Sequence, residues 1–173
     1  NHPRFMELVW GCEYAGLIYT AASARLTTDE LAYVVDDCGA RAFITSRYKA
    51  DQAAAIVGTT PGVELRLMLD GVAAGHDSYE DAVAQHEPTP LPDRVAGVDM
   101  LYSSGTTGRP KGVLPAFEAK PLEERVTGVT MLMQLLFGMD DTKVYLSPAP
   151  LYHAAPLRFC VATQSLGGTL VVM

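Results

Sequence analysis

The chain has 173 residues, 49% of them hydrophobic and 19% charged, which suits one domain or a large piece of one. Thirteen basic residues against twenty acidic ones give a formal net charge of −7, a sign that argues against the basic face of a nucleic-acid binder. Cys12, Cys38 and Cys160 show no CxxC or Cys/His spacing. That excludes a structural zinc site and fits a reduced, cytoplasmic protein in which Cys38 and Cys160 are buried thiols on apolar faces.

Phe5, Leu8, Val9 and Cys12 recur at helical spacing, so RFMELVWGCEYAG reads as a helix and GLIYTA as a buried strand after it. Glu13 and two glycines interrupt LVWGCEYAGLIYTAA, and no stretch reads as a signal peptide or a transmembrane segment, which needs roughly twenty apolar residues. Thr27 and Glu30 form a capping-box pattern for a helix with Leu31, Val34, Val35 and Cys38 on its face, stopped at Gly39. RAFITS is the next strand, YKADQAAAIV a helix, GTTPG a turn, and VELRLML an alternating strand. Ser78 and Asp81 cap a short helix in YEDAVAQH. The prolines of EPTPLPD then impose an extended connector, read as a loop between halves of one layer.

Beyond residue 113, Pro121, Glu123 and Glu124 resemble a helix first turn, with Leu122, Val126, Val129, Met133 and Leu136 as the apolar face and Gly138 as the end. KVYLS is a strand, PAPLYHAAP a loop, LRFCVATQSL a helix and TLVVM a final strand. Strands alternating with helices, without hairpin turns, predict an α/β fold: a layered, largely parallel sheet with flanking helices. His2, His76 and His86 sit among polar residues and are expected at the solvent. The pairs Asp36–Asp37 and Asp140–Asp141 read as solvated caps rather than acid/base pairs.

The densest chemistry lies in DMLYSSGTTGRPKGV, Asp99 to Val113, directly after a strand-like run. Loops leaving the carboxyl ends of strands are the usual ligand sites of an α/β sheet. Gly105, Gly108 and Gly112 allow backbone N–H groups to approach an anion, and Ser103, Ser104, Thr106 and Thr107 add hydroxyls. Lys111 adds one mobile positive charge suited to phosphate oxygens. The stretch is not a Walker A loop, because Pro110 replaces its second glycine and Gly112 its Ser/Thr metal ligand. An ordinary solvated turn has a similar composition, and a polyphosphate grip is the competing reading.

LYSSGTTGRPKGV resembles the phosphate-loop signature of the adenylate-forming enzymes, the superfamily of acyl-CoA synthetases, luciferases and peptide-synthetase adenylation domains. Agreement runs through Ser103, Ser104, Gly105, Thr106, Thr107, Gly108, Pro110, Lys111 and Gly112. GCEYAGLIYTAASARLTTDELAYVVDDCGARAFITS is similar to an early segment of that family, and SPAPLYHAAPLRFCVATQSLGGTLVV to a later one with an aromatic–His pair. Where most members continue with Thr-His or Ser-His, this chain has LPAFEAKPLEERV. The family's magnesium motif, ribose aspartate, hinge and C-terminal domain are not found before Met173. Residues 1–173 are therefore expected to be part of the large N-terminal domain, with the phosphate loop at 103–112.

The resemblance implies activation of a carboxylic acid, a fatty acid foremost, with ATP and Mg2+, followed by transfer of the acyl group to coenzyme A. Ser103, Ser104, Gly105, Thr106, Thr107, Gly108 and Lys111 would hold the β- and γ-phosphates, with Lys111 neutralising the departing pyrophosphate. Tyr152 and His153 would contact the acid. A histidine simply hydrogen-bonded in its loop stays open beside that role. So do a carrier-protein thiol as acceptor, a non-catalytic flavodoxin-like phosphate-binding module, and self-association through the apolar edge at TLVVM.

Overall fold

The computed structural model describes residues 1–103 and 109–173. In chain order the chain forms α1 (Phe5–Tyr14), β1 (Ile18–Tyr19), α2 (Thr28–Asp37), β2 (Ala42–Ser46), α3 (Ala50–Ala55) and β3 (Leu65–Leu69). Then follow β4 (Asp77–Ser78), α4 (Tyr79–Ala84), β5 (Val98–Asp99), β6 (Leu101–Ser103) and β7 (Lys111–Val113). The last elements are α5 (Gly128–Phe137), β8 (Val144–Ser147), α6 (Ala154–Ser165) and β9 (Thr169–Val172). The pairs β1–β5, β2–β3, β3–β4 and β8–β9 are all parallel, the mixed α/β architecture the pattern predicts.

Two compact units share these elements. One comprises residues 1–21, 91–101 and 114–173, the other residues 22–90 and 102–113. A unit boundary falls inside EPTPLPD, after Pro90.

In the unit built on residues 22–90, Thr27 Oγ1 accepts from the Glu30 amide at 3.3 Å and the Glu30 carboxylate accepts from the Thr27 amide at 2.8 Å. This reciprocal cap starts α2, and Gly39 at φ 64° ends it. Leu31 and Val35 pack with Ile56, Leu26 and Phe43. The expected helix YKADQAAAIV is broken into a 3-10 turn at Arg47–Lys49, α3, and a second 3-10 turn at Val57–Thr59. β3 does not alternate. It lies between β2 and β4, and Leu67, Met68 and Leu69 are all buried, as in a central parallel strand covered on both faces.

His76 also departs from expectation: it is buried, edge-on to Phe43 with ring centroids 5.9 Å apart. Its Nδ1 lies 3.2 Å from the Ala74 carbonyl, and its Nε2 has no hydrogen-bond partner among the described residues. The bridge between Ala73 and His76 folds the turn inward and carries the ring with it. Asp37, expected as a solvated cap, accepts hydrogen bonds from two tyrosines. Cys160, in the other unit, is fully buried as expected, but Cys38 is only half-buried.

In the unit containing both ends of the chain, α1 and α6 enclose Met6, Val9, Leu101, Leu151, Leu157 and Cys160. The Trp10 indole N–H donates to Gln164 at 2.7 Å and ties the two helices together. Met133, Met139 and Ala162 form a second cluster with Tyr145 and Phe159. GLIYTA is not a buried strand: only Ile18 and Tyr19 pair, with Val98 and Asp99, and Leu17 and Ile18 are 52% and 54% exposed.

The helix expected from Pro121 is two elements. Leu122–Glu124 is one 3-10 turn, Arg125 is extended, and α5 starts afresh where Thr127 Oγ1 accepts from the Thr130 amide at 3.1 Å. The restart rotates the face, so Met133 is buried while Val126 and Leu136 are exposed. Gly138 at φ 57° ends α5 as expected. Among the described residues no helix is long and apolar enough to cross a membrane.

Candidate functional site

β6 and β7 pair with each other and form the two stems of the predicted phosphate loop. The Ser103 hydroxyl donates to the Lys111 carbonyl at 3.4 Å, and both residues are exposed. The Ser103 hydroxyl thus lies against the Lys111 backbone where the two stems pair. Ser104, Gly105, Thr106, Thr107 and Gly108 lie outside the described residues. Arg109 and Pro110 complete the returning stem, with the Arg109 guanidinium 5.0 Å from the centre of the Tyr33 ring.

Tyr152 and His153 belong to the other unit. Their rings lie 4.2 Å apart at 46°. His153 is exposed and occupies the N-cap position of α6 without a side-chain capping bond, so its imidazole is not consumed by the helix end. Pro156 falls in the first turn of α6, where its missing N–H costs no intrahelical bond. α6 therefore begins at Ala154, earlier than LRFCVATQSL suggests, and sets the His153 ring at its mouth.

The same unit holds a charged cluster that sequence reading missed. Glu13 is buried at 1% exposure and ion-pairs with Arg125, whose Nη1 also donates to the Gly97 carbonyl at 2.7 Å. The Tyr19 hydroxyl donates to Glu13 at 2.9 Å. Close by, Asp99 receives a two-pronged pair from Arg158, with Nη2 at 2.7 Å and Nε at 3.1 Å. These five side chains line a cavity of about 730 Å³ together with Phe117, Val126 and Val161. The one signal in the sequence was Glu13 itself, a lone acid inside an apolar run.

Burial pushes the Glu13 carboxyl above the ordinary carboxylate range, against the opposing pull of Arg125 and Tyr19. A raised carboxyl binds its proton more tightly folded than unfolded. On Glu13's account, stability is fully present below the unfolded value near 4.5 and falls as pH rises toward the higher folded value. Glu13→Gln has no such proton. Its urea midpoint is expected to decline less than the wild-type midpoint as pH rises through that window, and parallel curves would contradict the assignment.

The AMP-binding enzyme family model matches residues 1–173. The chain belongs to the AMP-binding enzyme family. Among its relatives, a feruloyl-CoA synthase of an Amycolatopsis species is 33% identical over 99% of this chain and 32% of its own length. The long-chain-fatty-acid–CoA ligase of Thermus thermophilus is 27% identical over 88% of this chain and 28% of its own. The chain thus spans about a third of the length of the curated relatives it matches. The N-terminal domain of FACL13 from Mycobacterium tuberculosis, solved with an inhibitor, superposes with a TM-score of 0.72 at 22% identity, covering 100% of this chain and 42% of that one.

Family membership removes the ground for a flavodoxin-like module, since the match runs the whole chain. Within this AMP-binding fold, Ser103 and Lys111 are brought together, and so are Tyr152 and His153. Among the described residues no group of three or more His, Cys, Asp or Glu side chains is placed to hold a metal ion.

Proposed function

We propose that the chain is part of an ATP-dependent acid–thiol ligase, an acyl-CoA synthetase, and supplies the enzyme's grip on the ATP phosphates. The observation that carries this reading is the pairing of Ser103 with Lys111 at the stems of the phosphate loop, within a chain matched in full by the AMP-binding model. Ser103, Ser104, Gly105, Thr106, Thr107, Gly108 and Lys111 hold the β- and γ-phosphates. The acid's carboxylate oxygen attacks the α-phosphorus, the bond to the β-phosphate bridge breaks, and pyrophosphate leaves. Positioning and charge neutralisation are the main demands of such a step.

Lys111 meets the charge that builds on the departing pyrophosphate. Mg2+ arrives with ATP as part of the substrate. Coenzyme A then attacks the acyl carbon through its sulfur, expelling AMP and releasing the thiol proton. Tyr152 and His153, with rings tilted against each other before α6, contact the carboxylate end of the acid. The location is cytoplasmic.

The acid is a fatty acid, as named for the Thermus ligase, or an aromatic acid of the ferulic type, as named for the relative at 33% identity. Exposed apolar residues on α5 and on β8 and β9, among them Leu135, Leu136, Val144 and Val171, support self-association of this chain alone. The experiment is to supply the complete ligase with ATP, coenzyme A and each acid, and to detect acyl-CoA by mass. Acyl-CoA from one acid class supports the reading. Adenylate without thioester would move the acceptor to a carrier-protein thiol.

A further inference from the structure

Asp37 is the last residue of α2, and Tyr33 lies one turn before it on the same helix face. An acid at a helix C-terminus faces the negative end of the helix dipole, so a carboxylate there needs local donors. Two tyrosines provide them. The Tyr102 hydroxyl donates to Asp37 Oδ2 at 2.5 Å, and the Tyr33 hydroxyl lies 3.3 Å from Asp37 Oδ1. The same Tyr33 hydroxyl lies 3.3 Å from the Pro110 carbonyl, and its single proton serves one of these acceptors at a time. The Arg109 guanidinium covers the Tyr33 ring.

Tyr102 immediately precedes Ser103, and Pro110 immediately precedes Lys111. Both stems therefore meet the C-terminal part of one helix, the first at Asp37 through Tyr102 and the second at Tyr33 through the Pro110 carbonyl. Neither β6 nor β7, each three residues long, is extended enough to fix that geometry through strand pairing alone.

We propose that Asp37 is a positioning residue for the phosphate loop: it fixes the first stem through the Tyr102 hydroxyl, and the second follows through the pairing of β7 with β6. This rests on the phosphate-binding reading of Ser103 and Lys111 given above. Asp37 touches no phosphate. It acts by holding the donors that do, and misplacing such groups by about 1 Å can cost on the order of a hundredfold in rate. Burial, and then the bond to Asp37, raise the Tyr102 hydroxyl above its ordinary value, so it remains a donor at neutral pH.

Two measurements test this. In the complete ligase, Asp37→Ala and Tyr102→Phe are each expected to raise the KM for ATP about tenfold, the loss of one charge-assisted hydrogen bond, and to leave the KM for the acid unchanged. Asp37→Asn, which keeps an acceptor, should recover part of the loss, and the double variant should be no worse than Asp37→Ala. In the complete ligase, amide exchange at Lys111–Val113 should quicken about tenfold in Asp37→Ala while the first turns of α2 keep their wild-type rates.

A KM for ATP within twofold of wild type in both single variants would overturn the proposal. So would equal rises in both KM values with a lowered melting temperature, the signature of a purely structural role. If the wild-type ligase catalyses no ATP-dependent reaction with any acid, the functional reading falls. Amide exchange then decides alone, and unchanged rates at Lys111–Val113 would overturn the positioning role.

Discussion

Lys111→Ala in the complete ligase is expected to slow adenylate formation by roughly ten- to a hundredfold, with no comparable loss of stability. Lys111 sits on β7, exposed, beside the Ser103 hydroxyl. Its removal withdraws the one positive charge that the proposed function assigns to the departing pyrophosphate. A positioned charge-assisted contact is worth on the order of 1.5–3 kcal/mol, which converts to that range of rates. An exposed side chain contributes little to the core, so the urea midpoint should move only slightly. Lys111→Arg keeps the charge in a different shape and should recover part of the rate. Single-turnover adenylation, measured beside urea unfolding, separates the two effects. An unchanged rate in Lys111→Ala would return the stretch to an ordinary surface turn.

The second large effect is expected at Gly97. A Cβ built there would lie 2.4 Å from the Cys12 carbonyl oxygen and 2.6 Å from that of Leu17. Both obstacles are backbone, so neither can swing aside as a side chain would. The neighbouring amides are also committed: Gly97 N–H donates to the Glu13 carbonyl at 2.9 Å, and Val98 N–H to the Leu17 carbonyl at 3.0 Å. Moving the strand away would break the β1–β5 register and pull the Gly97 carbonyl from Arg125.

Overpacking typically costs 1–3 kcal/mol, and two backbone clashes place Gly97→Ala at about 3 kcal/mol or more. That is a large share of a domain's usual 5–15 kcal/mol. Urea unfolding followed by far-UV circular dichroism should show a sharply lowered midpoint. A midpoint equal to wild type would mean that the crowding at Gly97 is not real.

What the sequence disclosed was local. The capping box at Thr27 and Glu30 lies within four residues, and its geometry is contained in that stretch. Gly39 and Gly138 end helices through their own backbone freedom, and both were legible for that reason. The run from Ser103 to Lys111 stands out in the sequence as well, because glycine, proline, hydroxyls and lysine are concentrated there.

What escaped depended on distant partners. Arg125 and Glu13 are 112 positions apart, and nothing near either announces the other. Arg125 nonetheless shapes its own segment: it is extended, reaching Glu13 and the Gly97 carbonyl, where the apolar spacing predicted continuous helix from Leu122 to Leu136. The uniform burial of Leu67, Met68 and Leu69 likewise follows from neighbours on both sides of β3, which an alternating sequence pattern does not reveal. His76 looked polar because its sequence neighbours are polar, whereas its neighbour in space is Phe43.

Asp37 shows a third kind of limit. At the end of α2 it reads as a solvated cap, and its side chain is indeed exposed. Its meaning comes from Tyr102, 65 positions later, whose hydroxyl it holds at 2.5 Å. The aspartate is visible in the sequence, and the loop stem it secures is not.

The most direct test of the central claim is ATP–pyrophosphate exchange by the complete ligase, with labelled pyrophosphate and a panel of straight-chain fatty acids and hydroxycinnamic acids. Exchange reports reversible adenylate formation without requiring the thiol, so it isolates the step assigned to Ser103 through Lys111. The expected result is exchange that depends on the added acid, favours one class of the panel, and falls roughly ten- to a hundredfold in Lys111→Ala. Absence of acid-dependent exchange with every member of the panel, from a folded wild-type protein, would contradict the claim.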